Sequence, residues 1–175
     1  RICPALCEKS CVLRLSANAS VTCRENEVAI IEGAFREGFI KPLTIERNGK
    51  KIAVIGSGPA GLTVANQLNR MGYEVTVFEK QEAAGGLLRY GIPNFKLHKA
   101  VIDRRIRLME QEGIKFEYNK EINLKSKELK DFDATCLCTG AETPRDLSIP
   151  GRNLQGIHFA MEMLSQQNRV LAGVS

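Results

Sequence analysis

The chain has 175 residues, 43% of them hydrophobic, and its 25 Lys and Arg against 20 Asp and Glu give a net charge of +5. That is room for one ordinary domain, or for one domain plus a small appendage. No apolar run approaches the roughly 18 residues of a membrane span, and the basic residues are spread along the chain instead of gathered in a tail, so neither a membrane nor nucleic acid is indicated as a partner.

The chain begins with Arg1 and runs out after the helical pattern AMEMLSQQNRVLAGVS, which reads as a processed product or an excised piece of something longer. Residues 1–41 have helical spacing, with Val28, Ile30, Ile31, Ala34 and Phe35 on one apolar face. Cys3, Cys7 and Cys11 recur every four residues and so fall on one side of a helical or turn-rich segment, where gathered thiolates suit a soft metal. On spacing alone a zinc site with four cysteine ligands stays open, with Cys23 as the fourth, although the spacing fits no common zinc pattern well. The run PLTIERNGK at 42–50 then separates two differently patterned segments, giving a first segment with its linker at 1–49 and a second at 50–175.

From Lys50 onward the expected order is strand 51–55, glycine turn, helix 59–71, strand 74–79, glycine-rich loop 83–93, helix 97–112, strand 114–118 and strand 134–138. Strands alternating with helices predict an α/β fold, a Rossmann-like parallel sheet with flanking helices, preceded here by a short all-helical segment. In LHKAVIDRRIRLMEQEGI the apolar residues recur at helical spacing, which sends Lys99, Arg104, Arg105 and Arg107 mostly to the outer face. Cys136 and Cys138 share one face of a strand and read as small buried thiols, and His98 and His158 read as surface or packing residues.

The stretch KIAVIGSGPAGL places Gly56, Gly58 and Gly61 after an apolar, β-branched run and before a helical pattern. That is the context in which a dinucleotide fingerprint is informative: a tight turn, close backbone approach to a pyrophosphate, and close helix–strand packing, with the anion at the helix N-terminus. The second strand, EVTVFEK, ends in Glu79, placed to accept hydrogen bonds from an adenosine ribose. A 2′-phosphate would meet like charge there, which Lys80 alone is too little to reverse, so NADP is disfavoured at this site and NAD and FAD both remain.

The runs VIGSGPAGL, EKQEAAGGLLRYGIPNFKL and DFDATCLCTGAETPRDLSIPGRNLQGIHFAMEML strongly resemble the small (beta) subunit of glutamate synthase and the flavoprotein family around it, which includes the FAD domain of dihydropyrimidine dehydrogenase. RICPALCEKSC followed by NEVAIIEGAFREGFIKP resembles that family's N-terminal iron–sulfur region, so the likeness covers essentially the whole chain. The resemblance implies FAD at Gly56, Gly58, Pro59, Ala60, Gly61, Glu79 and Lys80. It also implies that Gly86, Leu87, Leu88, Gly91, Ile92 and Pro93 run beside the pyrophosphate and flavin, that Lys96 lies near the isoalloxazine, and that Thr139 and Gly140 close over the cofactor. For the cysteine segment it implies [4Fe–4S] clusters shared with cysteines upstream, with Cys3, Cys7 and Glu27 for one, Cys11 for the other, and Cys23 incidental.

A second glycine fingerprint for NAD(P)H would follow in the longer protein. The function so implied is cytoplasmic electron transfer from NAD(P)H through FAD and clusters to a partner, the large glutamate synthase subunit or another electron-accepting subunit, with no catalytic acid, base or nucleophile in this chain. A related NADPH:ferredoxin-type or dihydropyrimidine dehydrogenase-like electron-transfer subunit stays open, as do a non-catalytic docking domain with an empty nucleotide site and a simple NAD dehydrogenase. A sheet lacking its last strands also predicts an exposed edge and self-association.

Overall fold

The computed structural model describes residues 1–174 and divides the chain into two compact units, residues 1–41 and the residues from Pro42 onward. The first unit contains α1 (Leu6–Lys9), a 3-10 turn (Val12–Leu15) and α2 (Cys23–Arg36). The expected apolar face of α2 forms, but no residue of the helix is buried, and Ile30 and Ile31 are exposed. A segment this short has too little apolar material to enclose a helix face. Its clearest internal tie is polar: the Glu8 carboxylate accepts a hydrogen bond from the Arg24 backbone N–H at 2.8 Å, capping the start of α2.

The second unit runs β1 (Lys51–Ile55), α3 (Pro59–Arg70), β2 (Glu74–Phe78), α4 (Leu87–Tyr90), α5 (Lys99–Gln111), β3 (Lys115–Glu117), a 3-10 turn (Lys127–Asp131), β4 (Ala134–Leu137) and α6 (Ala160–Leu171). The four strands form one parallel sheet in the order β3-β2-β1-β4, with Ile52 level with Val75 on one side and Ala134 on the other. Both faces are covered, as a parallel sheet requires. On one face Ile52, Val54, Val75 and Val77 pack with Ala65 of α3 and Met109 of α5, and Cys136 and Cys138 lie half-buried against this cluster. On the other, Ala53, Ile55 and Phe78 pack with Leu129 and Phe132, whose ring meets that of Phe78 edge-on at 5.8 Å.

Helix α3 opens with Pro59 at its first turn and closes on Gly72 in the left-handed region, where Tyr73 N–H reaches back to the Leu68 carbonyl at 3.1 Å. The segment 42–49, expected as a linker belonging with the first unit, instead packs on the second. Arg47 donates to Asn69 Oδ1 at 2.6 Å, to the Tyr73 carbonyl at 2.7 Å and to the Glu112 carbonyl at 2.8 Å, which ties it to the ends of α3 and α5 and the entry to β2. Among the described residues no helix is long and apolar enough to cross a membrane.

Candidate functional site

Because β1 is flanked by β2 on one side and β4 on the other, the chain leaves its C-terminal end at the point where strand order reverses, the place where open α/β sheets bind ligands. Three connections meet there: the glycine turn 56–58, the loop after β2, and the residues after β4. Gly56 has φ 99°, and a Cβ on it would strike the Cys138 carbonyl, with Thr139 Cα 3.5 Å away. A Cβ on Gly61 would strike the Gly56 carbonyl, and one on Gly86 would lie 2.8 Å from Gly58 Cα. These glycines are therefore required by the protein's own close packing.

Gly58 differs. Its φ of −66° is open to any residue, and a Cβ there would meet no protein atom within 4 Å. It stands as the N-cap of α3, whose first-turn N–H groups lack intrahelical partners, so the one fingerprint glycine that the protein does not itself explain borders the space where a pyrophosphate would lie. Pro59 and Ala60, both exposed, follow it.

Glu79 follows β2 directly and is only 6% exposed. Its carboxylate accepts from Ser57 N–H at 3.0 Å and from the Ser57 hydroxyl on one oxygen, and from Gln81 N–H at 2.9 Å on the other. The acid is thus held beside the glycine turn. Lys80 turns elsewhere: its amine pairs with Glu142 at 2.5 Å, and this carboxylate is what raises the lysine's pKa. Its charge is spent bridging the loops after β2 and β4, so it gives no support to a 2′-phosphate.

Gly86 caps α4, which carries Leu87 and Leu88, and Gly91, Ile92 and Pro93 continue from it. Leu88 and Ile92 pack into the cluster built on Leu97, Ile102 and Ile106, while Leu87 and Lys96 are exposed. The Lys99 amine donates to the Leu88 carbonyl at 3.1 Å and to the Ile92 carbonyl at 2.5 Å, and Arg89 donates to the Ala84 carbonyl at 2.6 Å and pairs with Asp103. Burial first, and the Arg89 charge second, hold Lys99 below the usual lysine pKa. Arg105 donates to Asn66 at 3.0 Å. The expectation that the α5 cations face outward is therefore corrected for Lys99 and Arg105, which are half-buried and staple α5 to its neighbours. Thr139 and Gly140 are exposed, with Thr139 at the glycine turn.

The fingerprint, Glu79, Gly86 and Thr139 are thus one constellation, with residues 87–93 hinged on it through Gly86. Ser57 and Gln81, which hold the acid, carried no sequence signal beyond being small or polar near a glycine turn. Nor did the α6 contacts: Asn168 donates to the Tyr90 carbonyl at 3.0 Å and Arg169 lies 5.1 Å over the Tyr90 ring.

The thiols behave differently. Among the described residues no group of three or more His, Cys, Asp and Glu is placed to hold a metal ion. Cys3 Sγ accepts from Ala5 N–H at 3.4 Å. Cys23, read as incidental, sits beside Cys7; burial first, then its hydrogen bond with Cys7, raises its pKa.

Residues 50–173 match the family described as pyridine nucleotide-disulphide oxidoreductase. The chain belongs to that family. It is 52% identical to the glutamate synthase (NADPH) small chain of Bacillus subtilis over 169 residues, covering 94% of this chain and 34% of that protein. The glutamate synthase (NADPH) small chain of Mycobacterium tuberculosis is 48% identical over 177 residues, covering 99% and 36%. The glutamate synthase (NADH) of Schizosaccharomyces pombe is also 48% identical, with 98% of this chain matched to 8% of a much longer protein. The chain therefore spans about a third of the length of these bacterial relatives. Among solved structures, a mutant of Mycobacterium tuberculosis FprA superposes with a TM-score of 0.59 at 25% identity, covering 71% of this chain and 30% of that one. Mycobacterium tuberculosis FprA in complex with NADPH gives 0.60 at 23% identity and shares the fold.

Proposed function

We propose that this chain is the FAD-holding part of an NAD(P)H-dependent oxidoreductase of the glutamate synthase small-chain kind, serving a large subunit or a similar electron acceptor. The observation that carries the dinucleotide reading is Gly58, whose missing side chain faces no protein atom within 4 Å at the head of α3, near a buried carboxylate, and the family likeness favours FAD as that dinucleotide. The identity to two glutamate synthase small chains supports the choice of partner.

Bound FAD supplies the exchange between two-electron hydride chemistry and single-electron release. This chain's residues bind and orient. The N-terminus of α3 offers N–H groups to the pyrophosphate, and Glu79 accepts from the adenosine ribose. The Gly86–Pro93 segment, anchored from below by Lys99, lines the flavin side, and Lys96 sets a positive charge near it. No residue here acts as general acid, base or nucleophile. Because the cysteines of this chain do not gather a ligand set, no step is assigned to an iron–sulfur cluster.

The reading is tested by titrating FAD into the flavin-free protein under anaerobic conditions, for the parent and Glu79→Gln. Tight binding by the parent and roughly tenfold weaker binding by Glu79→Gln is the expected result, the size of one charge-assisted hydrogen bond. A parent that binds no flavin, or binds it equally well without the carboxylate, would overturn it.

A further inference from the structure

Ser57 occupies the position between two fingerprint glycines and is fully buried. Its hydroxyl donates to Glu79 Oε2, and Ser57 Oγ accepts from Gly85 N–H at 3.2 Å, while the Ser57 carbonyl accepts from that N–H at 3.1 Å. One side chain thus joins the glycine turn after β1, the acid after β2 and the glycine loop leading into α4.

An ionised carboxylate offers about four lone-pair positions on its two oxygens. In Glu79, Oε2 receives two donors from Ser57 and Oε1 receives one from Gln81. Among the described residues that leaves one position unfilled, on Oε1. The carboxylate cannot rotate without breaking its bonds to the Ser57 and Gln81 donors, and for a group only 6% exposed an unmade bond is expensive.

We infer that Ser57 is a positioning residue for cofactor recognition: its hydroxyl locks the Glu79 carboxylate so that Oε1 presents its remaining acceptor position to a ribose hydroxyl, and registers the Gly85–Gly86 loop to the same acid. This rests on the FAD reading and deepens it. The adenosine end and the flavin-side loop are then aligned by one hydroxyl, and the site admits a hydroxyl donor while repelling a phosphate.

The test is a double-mutant cycle on FAD affinity in the flavin-free protein: parent, Ser57→Ala, Ser57→Gly, Glu79→Gln and Ser57→Ala/Glu79→Gln, each checked for folding by circular dichroism. Ser57→Ala and Ser57→Gly both remove the hydroxyl, so each should weaken FAD roughly tenfold, the size expected for a hydrogen bond to a charged group. Acting through Glu79, the serine substitution should cost no more than about threefold further once Glu79→Gln is present, since coupled residues are not additive. Independent addition of the two losses, or Ser57 variants within about twofold of the parent, would overturn the inference and leave the FAD reading intact. So would disagreement between the Ala and Gly variants, since the effect would then follow the Cβ and not the hydroxyl. A parent that binds no flavin overturns the FAD reading itself.

Discussion

Tyr90 shows how a residue to which the sequence assigns no role can hold a loop of the candidate site in place. It is buried at the end of α4, its carbonyl accepts from Asn168, its ring carries the Arg169 guanidinium at 5.1 Å, and Arg169 also reaches Gln81 Oε1 at 2.7 Å. Burial first, and the Glu82 charge second, push its pKa from 10 up to about 12. A phenol whose folded pKa is raised contributes its full stability below the unfolded value, and that contribution is lost as the unfolded chain ionises first. The stability of the parent should therefore fall between pH 10 and about 12 more steeply than that of Tyr90→Phe, as measured by urea unfolding across that range. Equal slopes would contradict the assignment. At this scale the sequence was readable wherever a residue type is scarce for a steric reason, as with Gly56 and Gly61. It was silent about Ser57, Tyr90 and Asn168, whose roles depend on partners distant in sequence.

At the scale of elements, the alternation of strand and helix from Lys50 onward was legible because apolar period and glycine punctuation change together. Strand ends moved by a residue, as with β2, which stops at Phe78 and leaves Glu79 free to turn toward the glycine loop. Charge placement was less legible. Periodicity put the cations of α5 outside, yet Lys99 and Arg105 use their long stems to reach carbonyl and amide acceptors on neighbouring elements. The segment 42–49 misled in the same way: its Pro, Asn and Gly read as a linker, while Arg47 makes it a strap across the N-terminal end of the sheet. Arg47→Ala should lower unfolding free energy by about 1–3 kcal/mol, the cost of leaving acceptors at the ends of α3 and α5 unpaired, with FAD affinity unchanged because the strap lies at the opposite end of the strands. Denaturant unfolding and flavin titration of the same variant check both halves.

At the scale of the molecule, the two units differ in how much of their order comes from burial. The second has a core on both sheet faces, while in the first Ala5 is the one buried apolar residue among those described. The α/β architecture was accordingly readable from pattern, whereas the spacing of the cysteine segment suggested only a soft metal and its resemblance an iron–sulfur region; among the described residues no group of three or more metal-ligating side chains is placed to hold an ion. Function follows the same division. The proposed nucleotide site rests on Gly58 and Glu79, and the proposed electron acceptor on likeness to proteins about three times as long.

The most direct test of the flavin account is to measure thermal stability and FAD affinity together for Gly58→Ala and Gly61→Ala. A methyl on Gly58 meets no protein atom within 4 Å and needs no unusual φ, and the gain in chain stiffness offsets the poorer alanine N-cap, so this variant should melt within a few degrees of the parent's temperature while losing FAD binding by about a hundredfold or more. Gly61→Ala, whose methyl strikes the Gly56 carbonyl, should lose stability first. Gly58→Ala binding FAD as tightly as the parent would contradict the account, because the open space beside that glycine would then not be where the cofactor lies.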